Sequence, residues 1–194
     1  MAKKQEMKVP EQRVRAFANI DFAKYVENEG LTVNKIWSDA DYMDSHDPLY
    51  FAVYTRDGSG ELTLVDGSVR QLAAGETSLY WYFDALIPGV SFEDYVIREV
   101  LVSKGNPTVK GGWVSSYGTL TPLEQGDSLT VGASLRGEKA SAEYTYSVSY
   151  TQGSITGGGD GVHNVRTDTV TNARSGIRIL KLADAYQMCS AGEL

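Results

Sequence analysis

Sulfur and imidazole are scarce in this chain of 194 residues, which holds one cysteine, Cys189, and two histidines, His46 and His163. A single thiol excludes an intrachain disulfide, so stability has to come from packing. Two imidazoles leave few ways to build a histidine-based triad or a zinc site. Uninterrupted apolar runs of 18 residues are also lacking, and with them any helix able to cross a membrane. The N-terminal MAKKQEMKVPEQRV has charge but no apolar h-region, so no cleavable secretion signal is expected. The sequon-like Asn106-Pro107-Thr108 is disqualified by its proline. Synthesis and folding in a reducing cytoplasm are expected, with placement in a virion or release by lysis as the onward route. A surplus of positive charge is missing too: the net charge of −7 opposes nonspecific binding to nucleic acid or to an anionic membrane.

That charge is unevenly placed. Residues 1–15 carry Lys3, Lys4, Lys8, Arg13 and Arg15 against Glu6 and Glu11, a net of +3, which leaves −10 on the remainder. A short basic tail on an acidic body is either a solvated terminus or an arm that grips a neighbouring subunit.

What the chain has in abundance is period-two alternation. In Ala140 to Thr151, ASAEYTYSVSYT, Ala140, Ala142, Tyr144, Tyr146, Val148 and Tyr150 alternate with Ser, Glu and Thr without a break. At about 3.4 Å per residue this strand would run roughly 40 Å, about twice the common length. Upstream, Ser128 to Arg136 places Leu129, Val131, Ala133 and Leu135 on one face, and Gly137-Glu138-Lys139 forms a short polar loop between the two runs. Together they read as a long antiparallel hairpin.

Shorter strands are expected over 31–37, 49–55, 62–64, 69–72, 79–83 and 113–120, separated by turn signals every 8–12 residues. Residues 38–48 read as a polar acidic loop and 153–161 as a Gly-rich one. Phe92 to Ser103 is contested: Ser91 followed by Asp94 resembles a capping box, yet the β-branched run after Tyr95 favours a strand. Apolar residues at helical spacing predict a helix within 11–29, between Pro10 and Gly30, and a short C-terminal helix within 179–189. No repeat of 20–50 residues is visible. The expected fold class is therefore all-β, an antiparallel β-sandwich or barrel with an N-terminal and a short C-terminal helix. The expected organisation is a basic arm and helix over 1–30 and one β-rich domain over 31–194, with its long hairpin at 128–152.

Chemistry-bearing constellations are weak. Asp39, Asp41, Asp44 and Asp47 crowd around His46, and oxygen-rich loops attract Ca²⁺ or Mg²⁺. The EF-hand spacing fails, with Met43 at its fifth position and Asp44 where glycine is needed. Gly157 to Gly161 lacks the Gly-Lys-Ser/Thr of a phosphate loop. Nothing near Cys189 activates a thiol. No catalytic residue, cofactor site or metal site is expected, and the protein reads as a non-enzyme.

Two functions are compatible with this pattern. The first is a structural or assembly subunit of a larger complex, such as a virion or tail-like component, associating with its own copies or other subunits. Its contacts would come from the N-terminal arm and the hairpin residues Leu129, Val131, Leu135, Tyr144, Tyr146, Val148 and Tyr150. The alternative is a pore-forming toxin or carbohydrate-binding β-sandwich acting on a membrane or glycan of a target cell, with the aromatics Tyr80, Trp81 and Tyr82 as contact residues.

Overall fold

The computed structural model describes residues 29–83, 86–103, 107–137, 141–157 and 164–177. These residues are nearly all β. Fourteen strands follow in order: β1 (Glu29–Trp37), β2 (Met43–His46), β3 (Leu49–Arg56), β4 (Leu62–Leu64), β5 (Arg70–Leu72), β6 (Ser78–Phe83), β7 (Tyr95–Ser103), β8 (Thr108–Lys110), β9 (Trp113–Ser116), β10 (Thr119–Pro122), β11 (Ser128–Leu135), β12 (Ser141–Thr151), β13 (Thr156–Gly157) and β14 (Asn164–Ile177). They form two seven-stranded sheets.

The first sheet runs β2-β11-β12-β14-β1-β6, with β13 also paired to β14. Its hairpin is antiparallel in the register Leu129↔Tyr146 and Val131↔Tyr144. β14 enters between β12, which it pairs antiparallel, and β1, which it pairs in parallel from Gly30↔Val165 to Trp37↔Asn172. This sheet curls. Along it β2 and β1 stand four strand spacings apart, about 19 Å if flat. Yet the His46 ring of β2 stacks on Trp37 of β1 at 3.6 Å and 5°. Tyr146 of β12 meets both rings edge-on at 4.9 and 5.8 Å, so the concave face closes around it.

The second sheet runs β10-β7-β3-β5-β9-β8, with β4 also on β3. Only Tyr117-Gly118 separates β9 from β10, a reach of about 11 Å at most. Four spacings of flat sheet would need about 19 Å. The second sheet must therefore bend as well, and its outer face wraps a small core of Ala52, Tyr54, Val69, Val96, Val100 and Val114. Its inner face supplies Phe51, Val53, Leu72, Tyr95 and Ile97 to the main core, shared with Leu31, Val33, Trp81, Leu129, Val131, Tyr146, Val148 and Val170 of the first sheet. A strand wedged between two cores cannot alternate, which explains the apolar run Leu49 to Tyr54 in β3.

Among the described residues there is no α-helix. The helices predicted within 11–29 and 179–189 lie outside the described residues except for Glu29, which begins β1; Cys189, His163 and residues 158–161 of the glycine loop also lie outside them. The contested 92–103 segment is a strand after one 3₁₀ turn, Phe92–Asp94. Ser91 Oγ donates to the Asp94 carboxylate at 2.7 Å but caps no backbone N–H, and burial of Tyr95, Val96, Ile97, Glu99 and Val100 on both faces fixes the strand. Four strands have no counterpart in the expected pattern: β2 sits inside the supposed acidic loop, β13 lies inside the Gly-rich one, and β8 and β14 fall where no strand is expected; the single strand expected over 113–120 is split into β9 and β10.

Candidate functional site

Strand alternation turns Arg166, Asp168, Val170 and Asn172 of β14 into the interior, and all four are buried. Arg166 and Asp168, two residues apart, share a face. The guanidinium pairs with the Asp168 carboxylate through Nε–Oδ1 at 2.8 Å and Nη2–Oδ2 at 3.0 Å. It also donates to the carbonyls of Phe92, at 3.0 Å, and Tyr95. Asp168 accepts in addition from the Gly153 N–H at 3.0 Å. This knot ties a central strand of one sheet to the 3₁₀ turn before β7 and to Tyr95, the first residue of β7 in the other. Charge-assisted, two-pronged bonds of this kind are strong enough to hold a buried pair.

Further along the same face a second polar group collects around Lys35 of β1, Glu99 of β7 and Asn172. Asn172 Nδ2 donates to Glu99 Oε1 at 3.2 Å, while Glu99 Oε2 and Asn172 Oδ1 meet no hydrogen-bond partner among the described residues. Burial pushes the Glu99 carboxyl up to about 7, the facing Lys35 opposing the rise. Burial likewise brings Lys35 down to about 8, with Glu99 and Asp39 pulling the other way. The Lys35 ammonium sits 4.1 Å from the centre of the Trp37 ring. Asp39, 3% exposed, accepts from the Tyr146 hydroxyl at 2.6 Å and meets His46 Nε2 at 3.1 Å. Burial raises the Tyr146 hydroxyl and lowers the His46 imidazole from their ordinary values. Lys35, Asp39, Glu99, Arg166 and Asn172 are each under 5% exposed. Arg166 and Asn172 bond across from the first sheet to Phe92, Tyr95 and Glu99, while Asp39 bonds within the first sheet.

The acidic loop does not converge. Asp39 turns inward to Tyr146. Asp44 accepts from the Gly137 N–H at 3.0 Å and faces Arg136, and Asp47 lies over Gly132. No group of three His, Cys, Asp or Glu residues able to hold a metal forms among the described residues.

What this loop does shape is a surface groove of about 220 Å³. All four residues of β2, followed by Asp47, form one wall, and the turn from Leu72 to Thr77 forms the other. Trp37, Met43, Leu49 and Leu72 give it apolar lining; Asp44, Asp47 and Glu76 give it carboxylates. β2 is the edge of its sheet and is only four residues long. A bulge opposite Ser134 and Leu135 breaks its alternation, so Met43 and His46, three positions apart, both turn inward. At the same edge Tyr42 is 64% exposed and Leu135 39%.

Of the hairpin residues singled out from sequence, Leu129, Val131, Tyr144, Tyr146 and Val148 lie together in the main core, and Leu135 lies on the surface. Tyr150 is half-buried and bridges the sheets, its hydroxyl donating to the Leu123 carbonyl at 2.8 Å and accepting from the Glu99 N–H at 3.2 Å. Trp81 is buried, donating to the Ser68 carbonyl at 2.6 Å, while Tyr80 and Tyr82 are half-buried neighbours at 5.2 Å. Sequence reasoning missed Lys35, Glu99, Arg166, Asp168 and Asn172. A signal existed for the first two: each occupies an inward position of an alternating run, after Leu31 and Val33 or after Tyr95 and Ile97. No protein-family model, curated protein or solved structure matches the chain.

Proposed function

We propose that the chain is a non-enzymatic structural subunit that joins other subunits, copies of itself first among them, through the β2 edge of the first sheet. In this reading the two curled sheets act as a β-sandwich body. The observation that carries it is the pairing of an edge strand with exposed apolar side chains at one place: β2, Tyr42 and Leu135. Edge strands carry backbone donors and acceptors open to another chain, and apolar contacts beside them add burial energy. The buried polar groups favour a rigid body over a catalytic one, because the ionisable cluster is sealed between sheets. A pore-forming hairpin has less support: Leu129, Val131, Tyr144, Tyr146 and Val148 of its apolar face already pack in the main core and would have to be withdrawn from it to reach lipid.

Light scattering coupled to size exclusion tests the reading. The full chain should give a mass that is a multiple of 21.2 kDa and grows with concentration. The double change Tyr42→Ser with Leu135→Asp should weaken association at least tenfold while leaving the circular dichroism spectrum unchanged. A mass of 21.2 kDa at every concentration would overturn self-association.

A further inference from the structure

We infer that the groove between β2 and the 72–77 turn receives the basic N-terminal arm, residues 1–15, of a neighbouring copy of this chain. The inference rests on the assembly reading and names the partner segment. Three features of the groove select such an occupant. Its lining holds three carboxylates, Asp44, Asp47 and Glu76, and neither Lys nor Arg. Its floor is apolar, from Trp37, Met43, Leu49 and Leu72. It also lies on the unpaired side of a strand: the Asp47 N–H bonds back to the Gly132 carbonyl at 2.7 Å, so the backbone groups of His46, one residue earlier, point away from β11.

The arm supplies the complement. It carries +3 on 15 residues. In period-two alternation Met7 and Val9 share one side with Lys3 and Gln5, and Lys4 and Lys8 share the other with Glu6, so the Met7–Val9 end offers apolar groups to the floor and a net positive side to the acidic rim. Addition of a strand to a free edge gives affinity through main-chain bonds, and the side chains give specificity. A short, bulged, acidic edge resists indiscriminate pairing, so a basic strand is the one it admits.

Glu29 pairs with Phe83 at the start of β1, whereas the groove lies past Trp37 at its far end, about 26 Å away along the strand. The thirteen residues between the arm and Glu29 are long enough to cover that distance, so the neighbour is chosen on the assembly reading and the test separates it from the chain's own arm. A neighbour's arm in this groove is either exchanged reciprocally in a closed dimer or passed head to tail into a ring or filament.

The test uses equal amounts of ¹⁴N- and ¹⁵N-labelled full chain, mixed dilute, concentrated, treated with a carbodiimide and digested for mass spectrometry. Mixed-label amide links from Lys3, Lys4 or Lys8 to Asp44, Asp47 or Glu76 are expected, falling at least fivefold in 0.5 M NaCl as screening shortens to a few ångströms. Charge reversal of the arm, Lys3→Glu with Lys4→Glu and Lys8→Glu, should abolish association as well as links, and Glu76→Lys in the groove should restore part of it. A multimer without mixed-label links overturns the arm contact and leaves the assembly reading standing. A monomer at every concentration overturns both. Links confined to same-label pairs place the arm in its own chain's groove and also overturn the inference.

Discussion

Arg166 donates to Asp168 and to two carbonyls of the opposite sheet from a position where its side chain has no solvent contact. Removing one partner of a buried pair strands the other charge in the interior, at a cost of about 3–5 kcal/mol, whereas replacing both with apolar groups is often neutral. Urea denaturation should therefore show Arg166→Met losing several kcal/mol and Arg166→Met with Asp168→Leu recovering most of it. If the single variant costs under 1 kcal/mol, the knot is not a structural one. Glu99 makes a second prediction through pH. Its folded carboxyl titrates near 7, above the unfolded value near 4.5, so the folded state binds the extra proton in between and stability falls as pH rises from about 4.5 to about 7. Lys35, at about 8 when folded and 10.5 unfolded, gives the opposite slope between those values. Urea midpoints compared at pH 5 and 7 should fall further for the wild type than for Glu99→Gln, the His46 contribution being common to both. Equal falls would show that Glu99 ionises freely in the fold.

The elements differ in how plainly they were written. The 128–151 hairpin was legible because its inward face is apolar at every second residue, and one sheet face meets the core while the other meets water. β3 and β7 were legible by β-branched density. β14 was not, although it is the longest strand and sits inside the first sheet. Its inward positions are Arg166, Asp168, Val170 and Asn172, so three of four contradict the rule by which strands are read from hydrophobic alternation. Arg166 and Asp168 pair with each other, but the remaining partners of these residues, Phe92, Tyr95 and Glu99, are far away in sequence and in no local window. β2 escaped for a related reason. Its bulge places Met43 and His46 inward three residues apart, and the acidic residues between them look like a loop. The groove followed the same fate, since its two walls meet only through the tertiary pairing of Leu49 with Leu72 and the curl of the sheet.

At the scale of the whole molecule, the first sheet is two pieces that share no strand pairing until one late segment arrives. β1 pairs with β6, and β12 with β11, which pairs with β2; only β14 touches both halves. Sheets closed by contacts distant in sequence form slowly, and open strand edges invite association with other chains in the meantime. A chain ending after residue 163 should accordingly be insoluble or expanded, with the β1 and β12 edges open. A soluble, cooperatively melting product would show that the two halves close without it. During synthesis the same topology acts as a timer. Everything up to β13 emerges from the ribosome with its main sheet still in halves, and the last described strand converts them into one body. The wait also keeps the interior open for as long as Arg166, Asp168 and Asn172 have yet to be made, so the polar groups of the core enter together with the strand that carries them.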